Sequence, residues 1–220
     1  MIDSVLGGLA IGLGTISYMH IYDGTLLSDI VGAICFSIIM LAIPYFDLDL
    51  FIGRPGLMVD RNTDPVELGL IYLGNFIGIT WMALILKLIP EYGEPMRLLA
   101  HETLERLHAE TFDTVFIVST FAGMMVYAGL VAMKMKNVWT FFIAACFVTV
   151  MARWPLCHLV FFCFWSDSWE HFYLIVPVTF GNVVGANIWG MLRQHSPKYK
   201  NAYLFTPDSS DIVDKFHDYV

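Results

Sequence analysis

One hydrophobic stretch of this chain is cut in its middle, and a histidine stands at the cut. Val138 to Trp154 is mostly apolar, Pro155-Leu156-Cys157-His158 interrupts it, and Leu159 to Trp165 resumes for only about two helical turns. Ser166-Asp167-Ser168 then ends the run, and a full apolar segment opens at Phe172. Composition says which solvent surrounds the cut. The 220 residues are 57% hydrophobic and 15% charged, with a mean hydropathy of +0.65. Apolar runs near the ~20 residues that span a bilayer recur throughout, which excludes the soluble class. In hydrocarbon, a broken helix frees backbone groups that no water can satisfy. The cut must therefore lie inside protein or beside a water-filled cavity.

The cut has a twin. Ile30 to Tyr45 is apolar, Phe46-Asp47-Leu48-Asp49 interrupts it, and Leu50 to Val59 resumes briefly. Each cut is followed by the same pattern, Gly74-Asn75-x-x-Gly78 and Gly181-Asn182-x-x-Gly185, and the spacing between them carries Phe51 onto His158. Paired interruptions in corresponding positions of two halves point to a transport site at the membrane midplane.

In order, the chain reads as six spans. They are Val5–Tyr22, the interrupted Ile30–Val59, Glu67–Leu88, Phe112–Met133, the interrupted Val138–Trp165 and Phe172–Leu192. Pro65 suits the start of the third. Gly7, Gly8, Gly12 and Gly14 keep one side of the first small, for close helix approach. The polar connection from Pro90 to Glu110 contains a short amphipathic helix at His101-Glu102-x-x-Glu105-Arg106, expected over the membrane surface. Residues 1–192 thus form one membrane domain of two halves, about 1–89 and 111–192, each of three spans and inverted relative to the other. Residues 193–220 are a polar cytoplasmic tail. Arg61, Lys134, Lys136, Arg193, Lys198 and Lys200 share the side of the termini, against Arg97 and Arg106 opposite, so both termini are expected in the cytoplasm of a plasma or inner membrane.

The net charge of −8 lies in loops and tail and argues no nucleic-acid partner. Cys35, Cys146, Cys157 and Cys163 all lie in apolar segments without a CxxC pair, as small packed hydrophobes do. Two half-helices starting near the midplane offer unsatisfied N–H groups and partial positive charge, which attract an anion without a fixed cation. A carboxylate in a dry constriction gains proton affinity, and an imidazole there can donate a proton or a hydrogen bond. His158 is the candidate for that role, oriented by a backbone carbonyl or by Thr179. Against it stands the plain alternative of a buried neutral histidine bonded to a carbonyl.

These residues together resemble the formate–nitrite transporter family. The likeness runs from Leu6 to Leu192 through Val31-Gly32-Ala33-Ile34-Cys35-Phe36-Ser37, Asp49-Leu50-Phe51, the two Gly-Asn-x-x-Gly motifs and Pro177-Val178-Thr179, with His158 at the family's central histidine. The resemblance implies an all-α, aquaporin-like membrane fold with an inverted 3+3 repeat and a homopentamer with a pore in each protomer. It also implies passage of monovalent anions such as formate, nitrite or hydrosulfide, with protons, and neither enzyme activity nor cofactor nor metal. It places two apolar slits at Phe36, Met40, Phe51, Val126 and Met151, whose alternative is ordinary core packing. The chain departs from the family in having Cys157 before the histidine, Phe162 four residues after it, Gly123 for an asparagine of the fourth span and Ile52 after the first break. Leu107 stands for a vestibule lysine, which Arg106 would replace if the register slips by one.

A charged residue inside a span is costly and is usually paired or functional. Arg153 is such a residue. It lies one position from the repeat equivalent of Asp47, so a salt bridge joining the two breaks is expected; a pore-facing or snorkelling Arg153 is the alternative. Two other function classes stay open: a pore-dead structural or sensor homologue, and a haem- or metal-binding subunit using His20, His158 and His171.

Overall fold

The computed structural model describes residues 1–52, 54, 64–134, 138–152, 156–166 and 168–194; the side chains of residues 95, 132–134, 138, 150–152, 156–158 and 193–194 are outside the description. The regular structure among the described residues is helical, without strands. In order they are α1 (Ile2–Ile21), α2 (Leu26–Met40), α3 (Ala42–Tyr45), α4 (Pro65–Lys87), α5 (Pro90–His108), α6 (Phe112–Lys134), α7 (Val138–Ala152), α8 (Leu156–Trp165), a 3-10 turn (Trp169–Leu174) and α9 (Ile175–Gln194).

Local chemistry sets most boundaries. The Thr25 hydroxyl accepts from the Ser28 N–H at 3.2 Å and caps α2. The Asp64 carboxylate accepts from the Val66 N–H at 3.0 Å and caps α4, with Pro65 at its first position. Pro44 lacks the N–H that would bond the Met40 carbonyl, and there α2 gives way to the four-residue α3. Among the described residues, five helices are long and apolar enough to cross a membrane: α1, α2–α3, α4, α6 and the stretch ending in α9. The sixth pass is divided between α7 and α8, and α8, with 10 residues, reaches about half the ~30 Å hydrocarbon thickness.

The two halves repeat each other contact by contact. In the first half, α1 packs along α4; in the second, α6 packs along α9. A Cβ on Gly74 would strike Ser4, and one on Gly181 would meet the Ser119 Cβ at 2.6 Å. A Cβ on Gly78 would strike the Val5 carbonyl, and one on Gly185 the Thr120 carbonyl. Gly8 lies against the backbone of Asn75 as Gly123 lies against that of Asn182. Ser119, Thr120 and Gly123 therefore take the places of Ser4, Val5 and Gly8. Three passes separate each pair, so the halves are antiparallel and the two-fold relating them lies in the membrane plane. Elements exchanged by a two-fold can touch only on its axis. The axis accordingly runs through the contact of α2 with α7, where the Cys146 thiol lies 3.8 Å from the Ala33 carbonyl oxygen.

The polar connection holds a longer helix than the short one expected around His101 to Arg106: α5 spans 19 residues from Pro90. Met96, Ala100, Leu104 and Leu107 recur on one face, are buried, and pack α5 onto α8 and the 3-10 turn. That apolar stripe outweighs the weak local helix preference. A polar latch reinforces it: buried His171 in the 3-10 turn lies with Nδ1 2.6 Å from the Ser166 hydroxyl and Nε2 3.4 Å from the Glu105 carboxylate.

The glycine seams make a prediction. Gly78→Ala and Gly185→Ala place a methyl against a backbone carbonyl that cannot move aside, so each should lower the melting temperature clearly. Gly69→Ala, in α4 with nothing within 4 Å of the new methyl, should be neutral or stabilise by up to ~1 kcal/mol. Thermal melts of the detergent-solubilised protein check this; equal effects at all three positions would contradict the packing.

Candidate functional site

The first break is held together by one side chain. After α3 the chain turns through Phe46 and Asp47, whose φ of 51° is one a short polar residue adopts at modest cost. The Leu48 N–H donates to the Ile43 carbonyl at 2.7 Å. Leu48 to Leu50 then leaves helical geometry, and a new helical turn starts at Phe51. Its freed backbone groups go to Asn75, which is 5% exposed. Asn75 Oδ1 accepts from the Phe51 N–H at 2.8 Å, and Nδ2 donates to the Asp49 carbonyl at 2.8 Å and to the Ser4 carbonyl at 2.6 Å. Gly7 and Gly8 leave room for this approach.

Charge at this break is organised locally. The Asp49 carboxylate accepts from the Ser4 hydroxyl at 3.0 Å and pairs with Arg54, which also lies 3.8 Å from Glu67 in the first turn of α4. Asp47 is exposed at the turn. Its expected partner Arg153 lies outside the described residues. Arg54 carries no motif and was not legible as a site residue; only its place just beyond the break hinted at it.

The pore candidates come from different elements. Phe36 and Met40 lie one turn apart on α2, and Phe51 follows the first break. All three are buried, at 3%, 5% and 6% exposure, in one core cluster against which Val126 of α6 packs half-buried. The backbone of His158 lies in the first turn of α8, where the positive end of a helix dipole lies. The side chains of His158 and Met151 fall outside the description. Asn182, the counterpart of Asn75, is buried but turns its Nδ2 back to the Val178 carbonyl at 2.7 Å, leaving Oδ1 a buried acceptor without a partner. The two halves thus share backbone packing while differing in how their asparagines are used.

The Phe51 ring meets Tyr72 edge-on, with centroids 4.7 Å apart, and the Tyr72 hydroxyl lies 3.4 Å from the Thr179 hydroxyl. Neither Tyr72 nor this contact was anticipated, although the spacing that aligns Gly74 with Gly181 also aligns Tyr72 with Thr179.

A pocket opens where α5 meets α1 and α2, lined by Tyr18, Tyr22, Asp29, Leu99, Thr103, Arg106 and Phe162. Leu107 is buried in the apolar stripe, whereas Arg106 lines the pocket. The Tyr18 hydroxyl donates to Asp29 at 2.7 Å, and Arg106 pairs with Glu102. Glu102, and after it a hydrogen bond with Tyr22, raises the Arg106 pKa above the usual arginine range, so its charge is permanent. Nearby, hydrogen bonds from Ser28 and then Thr25 lower the Asp23 carboxyl to about 2. Its support of the α1–α2 turn is complete above the ordinary carboxylate range and is lost only as pH falls towards 2.

The other two candidate histidines have other surroundings. His20 is exposed with its ring 6.0 Å from that of Tyr92, and His171 is engaged by Ser166 and Glu105. Among the described residues, no three His, Cys, Asp or Glu side chains are placed to hold a metal ion.

Asn75 provides the sharpest test of the site. Asn75→Leu strands three backbone groups, at roughly 1–3 kcal/mol each. Asn75→Asp loses both Nδ2 donors and sets a carboxylate against the Asp49 and Ser4 carbonyls. Both should lower the melting temperature well beyond Asn187→Leu, which removes one bond on a half-buried helix face. Similar melts for all three would refute the stitching role.

No family model matches the chain, and no curated protein matches it. Solved structures do. It is similar to a pentameric formate channel with formate bound, with a TM-score of 0.71 at 15% identity over 93% of this chain and 96% of that one. It is also similar to an FNT family ion channel, with a TM-score of 0.67 at 16% identity over 87% of this chain and 86% of that one. Helix content, apolar passes and these likenesses agree: the chain is an all-α integral membrane protein with the six-pass, twice-interrupted, inverted-repeat fold of the formate–nitrite channels.

Proposed function

We propose that this protein is a formate–nitrite family channel that passes small monovalent anions of the formate, nitrite or hydrosulfide class through a pore in each protomer of a homopentamer. The observation that carries this is the likeness over 93% of the chain to a pentameric formate channel with formate bound. Both termini lie in the cytoplasm, by the Lys and Arg bias of the connections. The pocket at Arg106 is then the outer vestibule, and its permanent charge raises the local anion concentration.

Beyond the vestibule the path narrows between the apolar residues Phe36, Met40, Phe51, Val126 and Met151. An anion entering here loses water faster than it gains partners, so its proton affinity rises. His158, in the first turn of α8, supplies or relays the proton, and the neutral acid crosses the second constriction. Asp47 and Arg153 tie the two breaks together as an ion pair. A closed structural homologue is the competing reading, favoured by Phe162. That residue is 3% exposed at the pocket, where the resemblance implies a polar side chain.

The test is anion flux into proteoliposomes between pH 5 and 8. Wild type should carry formate or nitrite faster as pH falls. His158→Phe should assemble normally, lose most of the flux, and lose the pH dependence of what remains. A wild-type rate and pH profile in that variant would make His158 structural only. Flux indistinguishable from empty vesicles in the wild type would favour the closed homologue. Arg106→Gln should leave the pH profile intact and lower flux severalfold at low ionic strength, with the difference shrinking in high salt as screening removes the attraction.

A further inference from the structure

We propose that Tyr72 and Thr179 together form the hydrogen-bonding station at the centre of the pore, the place where a permeating weak acid is held while its protonation changes. This rests on the channel reading above.

The two residues are repeat equivalents, 107 positions apart, and their hydroxyl oxygens lie 3.4 Å from each other. Equivalent residues that meet across an internal two-fold flank its axis, so this contact lies close to the middle of the protomer. Tyr72 also touches Phe51 at the first break. Thr179 holds the same register position relative to His158 at the second.

The pair lies on the inward-facing stripes of its two helices. On α4, the residues within about 40° of Tyr72 around the helix include Leu68, Ile79, Ala83 and Leu86, all buried, whereas Leu70, Ile77 and Trp81 on the opposite face are exposed. On α9, Thr179 shares its stripe with the buried Ile175, Asn182 and Ala186. Tyr72 and Thr179 are nonetheless only half-buried. In this proposal their partial exposure is to the pore.

The chemistry suits a weak acid. A separation of 3.4 Å is longer than the ~2.7–2.8 Å of a good hydroxyl–hydroxyl bond, so the two oxygens satisfy each other poorly and leave room for a guest. Each hydroxyl can donate or accept. Two donors hold a formate anion; one donor and one acceptor hold formic acid. A fixed lysine would grip the anion and release the acid, whereas a hydroxyl pair serves both states in turn. The station also replaces polar partners absent around the second break, where Cys157 and Phe162 stand.

The experiment compares Tyr72→Phe, Thr179→Val and Thr179→Ser with wild type in proteoliposomes, measuring flux against formate concentration and, separately, hydrosulfide flux. Formate offers two oxygens to the pair, whereas hydrosulfide is a poor hydrogen-bonding guest. Tyr72→Phe and Thr179→Val should each raise the half-saturating formate concentration about tenfold and lower the formate-to-hydrosulfide ratio. Thr179→Ser keeps the hydroxyl and should stay near wild type in both. If Tyr72→Phe fails to assemble, the two Thr179 variants decide. Assembled variants with unchanged half-saturation and ratio would overturn the station while leaving the channel reading intact. A wild type that carries neither substrate would overturn both.

Discussion

The architecture depends on solving one problem: a helix broken inside hydrocarbon. Asn75 solves it for the first half. One amide group meets the Phe51 N–H and the Asp49 and Ser4 carbonyls, so the ends of the break and the start of α1 are bound to α4 by a single buried side chain. No apolar residue could do this, and in a bilayer no water would substitute. The glycines around it follow from the same need. Gly7 and Gly8 let α1 approach closely enough for the amide to reach both partners, and Gly74 and Gly78 let α4 accept α1 in return.

Repeating that packing with inverted direction generates the rest. The α6–α9 seam repeats the α1–α4 seam at Gly123, Gly181 and Gly185, the broken passes meet at α2 and α7, and the equivalent residues Tyr72 and Thr179 meet between the halves. Backbone packing is symmetric because glycine seams tolerate nothing larger. Side-chain chemistry is free to diverge: Phe51 faces one half and His158 belongs to the other, and Asn182 keeps an unpaired Oδ1 where Asn75 has none.

Much of this is legible in the sequence because the features are backbone-driven. Two interrupted apolar runs, two Gly-Asn-x-x-Gly motifs and the common spacing between them identify the passes, their inversion and the family likeness. What sequence did not reveal depends on tertiary contact. The polar connection reads as holding only a short helix around His101 to Arg106, and burial of Met96, Ala100, Leu104 and Leu107 against α8 makes α5 a full helix. Arg54 looks like a loop cation until its pairing with Asp49 across the break is seen. Tyr72 and Thr179 are unremarkable as residue types, and their meaning lies in their equivalence. The same spacing would have found them had it been applied to polar residues as well as to glycines.

The central claim is that the inverted repeat encloses a path for weak acids and excludes anions that cannot be protonated. It is tested most directly by the pH inside proteoliposomes after a sudden external pulse of sodium formate or sodium chloride. Entry as the neutral acid carries a proton inward, so formate should acidify the lumen within the time of mixing and far faster than in protein-free vesicles, while chloride should leave the lumen pH unchanged. Formate acidifying no faster than in protein-free vesicles, or chloride crossing as readily as formate, would contradict the account.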